Sequence, residues 1–510
     1  MSELESLEEI KTKTLPINPE EKEAKGLLEE EGKKNKEENL ILGKNISNES
    51  LKKGNDVKKK NDFFVKGKKR KNKDNEDVET KKKIKYNGQK VKEWTKRESD
   101  GEEKEEKKPK KKVALLMGYC GTGYQGMQIN PNAESIENEL HKALAASGAV
   151  SKDNAMAPHK IGFMRAARTD KGVHAAGQVC SLKMIVEDED VIKKINENLP
   201  KQIRVYGYVP TTGGFHAKFQ CDSRIYEYLM PTYVLQQSNP ALFPYSAIAE
   251  GLEIDLESNQ PIYNEKSGQY IFKNSSPITA EEMIEKRKFR VSEEILEELR
   301  VILKCYKGTF NFHNFTIGKA FKEKNANRFI KSFECSKPFI RQNSEWVSLK
   351  VHGQSFMLHQ IRKMVGLAIM IIRTKTPHKI ITNLFKDVKV NTPKAPSLGL
   401  LLEQAIFEAY NNKLKGVTKS DKRPVNFEKY KEEMNTLKEE WIYSKIINEE
   451  LETNEFEKWI RIIESHSMEF SWWLKKDGEI DLKLKPASLK EMGRGLLEKE
   501  EEEEEDVEED

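Results

Sequence analysis

The alternation of apolar and polar positions divides the chain into a long unpatterned arm, a patterned centre and a charged tail. Residues 1–112 are rich in Lys, Glu and Asn, hold few aromatics and show no sustained period. Such a segment cannot bury enough surface to offset the entropy of ordering, so it is expected to be disordered. The fold is expected to start at Val113, where VALLMGYC reads as a short strand. A Pro-Asn pair then leads into AESIENELHKALAASG, in which Ile136, Leu140, Ala143 and Leu144 recur at helical spacing. Strand-like runs follow at GFMRAAR, QVCSLKMIV, IRVYGYVP and SRIYEYLM, with a helical stretch, DVIKKINENL, between the second and third. That mixture predicts an α+β domain.

Residues 236–290 are polar, with clustered Asn, Ser, Gly and Pro, and are expected to form an insertion. Order resumes with SEEILEELRVILKCYKG, a helix whose first turn is acidic and last turn basic, as the macrodipole favours. Strand-like FIKSFECS and EWVSLKVHG come next, then the strongly apolar helix MLHQIRKMVGLAIMIIR and a final strand in SLGLLLEQAIF. The repeated alternation predicts two similar α/β modules, 113–235 and 291–410, sharing a sheet and a cleft. Beyond Tyr410, apolar residues including Trp441, Trp459, Trp472 and Trp473 sit among charges at rough helical spacing. They predict a helical extension over 411–490, followed by a disordered acidic tail over 491–510.

Charge sharpens this division. Basic and acidic residues number 8 and 13 in residues 1–50, 25 and 13 in 51–112, and 2 and 12 in the last twenty. The net charge of +5 therefore conceals a basic body and arm between acidic ends, an asymmetry suited to a polyanionic partner, although a solvated charged face gives the same counts. Cys120, Cys180, Cys221, Cys305 and Cys335 are scattered without a CxxC pair, which argues against a zinc site or disulfide framework and for a reducing compartment. The longest apolar run, at 364–372, falls short of the roughly 18 residues of a membrane span, so no membrane segment is expected. The acidic start MSELESLEEI is unlike a mitochondrial transit peptide. KGKKRKNK at 66–73 and KKKIK at 81–85 are clusters of the nuclear-import type, and predict a nuclear protein that meets an import receptor through its arm.

Three motifs carry candidate chemistry. Gly121, Gly123 and Gly126 form a GxGxxG after a strand, but no helix opens in the loop and no acidic residue follows about 20 positions on, so a dinucleotide site is not expected. A loop that lets backbone approach something closely fits better. In RAARTDKGVHA one carboxylate, Asp170, stands among Arg165, Arg168, Lys171 and His174. Such surroundings would keep it ionised, as a nucleophile or base working beside phosphates requires. In QSFMLHQIRKMVG, Gln360 and Arg362 interrupt an otherwise apolar helix, and an inward Arg362 would need an anionic partner.

With GYCGTGYQGMQ, RAARTDKGVHAAGQV, SRIYEYLMPTY, FHNFTIGKAFKE, HGQSFMLHQIRKMVG and KAPSLGLLLE in order over most of the patterned centre, the chain resembles the TruA family of pseudouridine synthases, in its eukaryotic multisite tRNA form. The resemblance implies a central antiparallel sheet built from the two modules, with flanking helices and a basic cleft between them. It implies Asp170 as the catalytic aspartate, Tyr226 as the tyrosine that packs on the target base, and Arg362 as the partner of Asp170. Arg168 would help displace the target nucleotide, with Lys171, His174 and Gln360 as further RNA-binding residues of the cleft. The implied substrates are tRNA, at uridines of the anticodon arm, and beyond it small nuclear RNA and mRNA. The long insertion and terminal extensions favour a monomer.

The reaction breaks the bond between uracil N1 and the ribose, turns the base and rejoins it through C5, so it calls for no redox cofactor, metal or ATP. Asp170 could attack C1′, add to C6, or remove a ribose proton to give a glycal. In each route Arg362 would orient Asp170, and Tyr226 would stack on the base with its hydroxyl free for proton transfer. A uridine in a stem must first leave the stack, at a cost of roughly a few kcal/mol.

Overall fold

A ten-stranded sheet organises the computed structural model. Residues 108–130, 133–151, 157–238, 278–415, 421–465 and 472–480 are described, with the short pieces 154, 262–264, 269–271, 470 and 482. The arm over 1–107 with its basic clusters, most of the segment 239–277 and the tail over 491–510 lie outside the described residues.

The strands are β1 (Lys111–Tyr119), β2 (Met164–Arg165), β3 (His174–Met184), β4 (Ile203–Pro210) and β5 (Ser223–Pro231). A separate hairpin, β6 (Ile262–Asn264) and β7 (Gln269–Ile271), precedes β8 (Gly308–Asn311), β9 (Asn327–Cys335), β10 (Phe339–Arg341), β11 (Ser344–Gly353) and β12 (Leu400–Ile406). Their order across the sheet is β4-β1-β3-β12-β5-β11-β9-β8, with β2 beside β3 and β10 beside β11. Pairing is antiparallel except between β12 and β3. The expected α+β class with a mainly antiparallel sheet is thus observed.

The last strand in the chain is threaded into the middle of the sheet. Leu401 pairs with His174 on one side, and Leu402 pairs with Tyr226 on the other. With neighbouring strands about 4.8 Å apart, the start of β3 and the middle of β5 are brought within roughly 10 Å of one another.

Both faces of the sheet are covered, which explains why β1 shows no alternation. Val113, Leu115, Met117 and Tyr119 pack with α1 (Ile136–Ala146) and α2 (Val191–Glu197). Ser135 caps α1 by accepting from the Asn138 amide at 3.3 Å. Ala114 and Leu116 point the other way, into a core shared with the later helices. Those are α3 (Ala217–Gln220), α4 (Ala280–Arg287), α5 (Glu293–Lys304), α6 (Gln360–Thr374), α7 (Lys379–Leu384), α8 (Glu408–Leu414), α9 (Lys431–Leu437), α10 (Ser444–Thr453) and α11 (Glu455–Ser465). No described helix is long and apolar enough to cross a membrane.

Many of the described residues beyond 410 belong to this core. Met434, Leu437, Ile446, Phe456, Trp459 and Trp473 are buried in the same cluster as Tyr228 and Leu229 of β5. An ionic knot ties the layer down. Glu227 of β5, fully buried, accepts from Lys438 at 2.7 Å and from the hydroxyls of Ser348 and Tyr443. Lys438 also reaches Glu403 of β12 at 2.7 Å, and Lys350 joins Glu403 at 3.1 Å.

The last residues of the expected insertion over 236–290 form a helix that their polarity does not suggest. Thr279 and Glu282 form a capping box that starts α4, and Arg287 donates to the Leu451 carbonyl at 3.0 Å and to Asn454 Oδ1 at 2.7 Å. The helix is short and mostly exposed, so its stability comes from docking on α10 and not from an apolar stripe of its own.

Candidate active site

Asp170 sits in the loop 166–173 between β2 and β3, half-buried, and the loop is fastened along its length. The Ala166 amide donates to the Val179 carbonyl at 2.8 Å. Gln178, wholly buried, holds the next residue on both sides: its Oε1 accepts from the Ala167 amide at 3.2 Å and its Nε2 donates to the Ala167 carbonyl at 2.8 Å. Thr169 Oγ1 lies 2.8 Å from the buried Tyr119 hydroxyl.

The glycine loop completes the frame. Met127 donates its amide to the Thr169 carbonyl at 3.0 Å, and Gly172 donates to the Tyr124 carbonyl at 3.2 Å. A Cβ on Gly126, whose φ is +89°, would lie 2.7 Å from the Thr169 carbonyl oxygen. The close approach expected of GTGYQG is therefore an approach to the backbone that carries Asp170.

His174 does not supply positive charge. It is buried at the head of β3, and its Nδ1 accepts from the Gly121 amide at 3.1 Å, which places the proton of the neutral ring on Nε2. Burial, with a small contribution from Lys445, pushes its pKa down to about 4. It staples the glycine loop to β3 as an uncharged acceptor, so the positive charge read for it beside Asp170 is absent.

Arg165 is likewise turned away from the carboxylate. It makes a two-pronged ion pair with Glu137 of α1, a side chain almost wholly buried, with Nη2 to Oε2 at 2.9 Å. Of the four cations read around Asp170, Arg168 and Lys171 remain as exposed side chains.

Tyr226 faces this loop from β5. Its ring stands edge-on to Phe356, with centroids 5.3 Å apart. Its hydroxyl pKa is pushed up to about 12, first by burial; Arg224 opposes the shift, and the negative charge of Asp170 adds to it.

Arg362 is the one residue of α6 that is not buried. Its Nε donates to the Ala395 carbonyl at 2.7 Å. The strap that receives it is itself held down, because the Tyr228 hydroxyl donates to the Pro396 carbonyl at 2.7 Å and a Cβ on Gly366 would meet the Pro393 carbonyl oxygen at 2.2 Å. Gln360, by contrast, is fully buried: its Oε1 accepts from the Met357 amide at 2.9 Å and secures the turn into α6. The expectation that it lines a cleft is corrected accordingly. In an apolar helix whose one accessible position is already taken by Arg362, its amide is satisfied internally.

Lys171 beside Asp170, the His174 ring and Arg362 line one cavity of about 490 Å³, within the usual range for a small-molecule site. Lys394 of the strap closes one wall, and Lys458 and Trp459 of α11 close another. Lys394 and Lys458 went unnoticed in the sequence, where Trp459 marks only a helical extension. The KAPSLG strap is the signal that could have found Lys394, whereas helical spacing alone gives no hint that α11 turns toward this cavity.

A family model described as tRNA pseudouridine synthase matches residues 302–408, the segment that contains Arg362 and the strap. A protein of Candida albicans named tRNA pseudouridine synthase 1 is 43% identical over 401 residues, spanning 69% of this chain and 65% of that protein. Its counterpart in Yarrowia lipolytica is 43% identical over 397 residues, 70% of this chain and 75% of that one. This chain belongs to the tRNA pseudouridine synthase family. A mouse protein named pseudouridylate synthase 1 homolog extends the likeness at 36% identity over 377 residues, 73% of this chain and 78% of that one. As a family member the chain is an isomerase, and the aligned portions of these relatives are long enough to include the whole sheet.

Proposed function

We propose that this chain isomerises uridine to pseudouridine in tRNA, at more than one position of the anticodon arm, with Asp170 as the catalytic carboxylate. The observation that carries the proposal is the single cavity shared by Lys171, next to Asp170, and by Arg362, from the far half of the domain. The names of the relatives, tRNA pseudouridine synthase 1, supply tRNA as the substrate class.

In this reading a uridine leaves its stack and enters the cavity between two similar modules that meet at β12. Asp170 acts on C1′, C6 or a ribose proton. All three routes share cleavage of the N1–C1′ bond, rotation of the held base, formation of the C5–C1′ bond and loss of the C5 proton. Arg362 orients the carboxylate, while the Tyr226 ring packs on the base and its hydroxyl, protonated at neutral pH, donates. Arg168 and Lys171, both exposed, meet phosphate and offset unstacking. Recognition by backbone and shape suits several target sites, including sites in small nuclear RNA and mRNA. The protein acts as a monomer in the nucleus, imported through the basic clusters of its arm.

The test is release of tritium from tRNA labelled at uridine C5. Wild type releases label. Asp170→Ala binds the same tRNA within about threefold and releases none. A wild type that binds tRNA and releases no label from any tRNA would refute catalysis and leave an RNA-binding protein.

A further inference from the structure

Resting on that reading, we propose that Arg224 is a positioning residue that locks the Asp170 loop to the segment leading into Arg362, and so sets the mutual placement of the site's two charged groups. Arg224 is the second residue of β5, two before Tyr226, so the two side chains leave the same face of the sheet. Its Nη2 donates to the Ala166 carbonyl at 2.8 Å, and its Nη1 donates to the Gln354 carbonyl at 3.1 Å. Ala166 is the first residue of the loop bearing Asp170. Gln354 opens the connector that runs into α6, whose first turn bears Arg362.

One planar guanidinium therefore joins the two segments from the strand that presents Tyr226. Its neighbours leave room for it. Arg224 is flanked by Gly353 on β11 and by Ala405 on β12. At Gly353 a Cβ would lie 2.7 Å from the Phe356 ring that Tyr226 packs against, so the site has no space for a larger residue beside the arginine. The two accepting carbonyls belong to different segments, and a guanidinium presents donors in a fixed fork that reaches both. A lysine ammonium on a flexible stem reaches one at a time.

This arrangement separates two tasks. The exposed cations, Arg168 and Lys171, bear on RNA affinity, whereas Arg224 bears on the geometry between carboxylate and arginine once the uridine is in place. Misplacing reacting groups by about 1 Å costs on the order of 100-fold in rate.

Arg224→Lys and Arg224→Ala are compared with wild type for kcat and KM in tritium release, for tRNA affinity and for melting temperature. Both variants should lose kcat, Arg224→Lys by about tenfold and Arg224→Ala by about 100-fold. KM and tRNA affinity should stay within threefold of wild type. Free guanidinium at millimolar concentration should restore part of kcat to Arg224→Ala and none to Arg224→Lys. A folded Arg224→Ala with kcat within threefold of wild type overturns the proposal, as does a loss expressed in KM alone. Failure of both variants to fold overturns it too, since the residue would then hold the fold and not the site. Absence of tritium release from wild type would instead strike the proposed function itself, and so the two failures are told apart.

Discussion

Replacing Lys438 by methionine removes the strongest attraction on a carboxylate that has no access to water. Glu227 is fully buried on β5, and its pKa is held at about 2, against an ordinary 4.5. Burial alone would raise that pKa; Lys438 and then Lys350 pull it down, with hydrogen bonds from Lys438 and Ser348. A carboxylate whose pKa is lower in the folded chain than in the unfolded one contributes stability at neutral pH. Because the folded value is the lower one, that stability is fully present above pH 4.5 and fades as the pH falls from 4.5 through 2. In Lys438→Met the carboxylate keeps the half-exposed Lys350 at 3.7 Å and loses its buried partner. The expected loss at pH 7 is about 3–4 kcal/mol, the range for breaking a buried pair from one side. Urea unfolding followed by tryptophan fluorescence at pH 7 and pH 4.5 provides the measurement. The gap between wild type and variant should narrow at the lower pH, where Glu227 in the variant takes up a proton, and Glu227→Gln in the same chain should recover most of the loss. A loss below about 1 kcal/mol at pH 7, or one that does not change with pH, refutes the reasoning.

Gly126→Ala should cost about 1–2 kcal/mol in backbone strain at φ +89°, and the 2.7 Å clash should move Thr169. Tritium release should therefore fall by more than tenfold with tRNA affinity little changed, measured by filter binding and turnover. For His174, a folded pKa of about 4 against 6.5 means stability that is complete above pH 6.5 and declines as the pH falls through 4, by about 2 kcal/mol at pH 5. His174→Asn keeps an acceptor toward Gly121 and should flatten that acid limb in urea unfolding. A wild-type imidazole seen by NMR to titrate near pH 6.5 would contradict the buried, neutral assignment.

Local pattern made the main elements legible. The apolar stripe of α1, the polarised charges of α5 and the uninterrupted run of β1 were each visible because one turn or one strand contains its own signal. Asp170, Tyr226 and Arg362 stood out through motifs, and of these Arg362 lines the cavity that Lys171, the neighbour of Asp170, also lines. What stayed hidden depends on partners distant in sequence. Arg165 looks like a companion of Asp170 until Glu137, 28 residues earlier, claims it. His174 looks cationic until burial and the Gly121 amide fix it as an acceptor. Gln360 looks like a cleft residue until the helix turns its amide inward. Strands β8 and β10, at 4 and 3 residues, are too short for any period to show. The Thr279–Glu282 box was readable as a helix start, but the polarity around it masked it. The C-terminal tryptophans announced helices without saying that one of them faces the cavity.

The central place of β12 bears on when the enzyme can exist during synthesis. A ribosome that has released the chain only as far as the strap has already released the loop of Asp170, the strand of Tyr226 and the helix of Arg362, yet β3 and β5 have no strand between them. Only when Leu400–Ile406 clears the exit tunnel does the gap close. A nascent chain short of that point lacks the strand that joins β3 to β5.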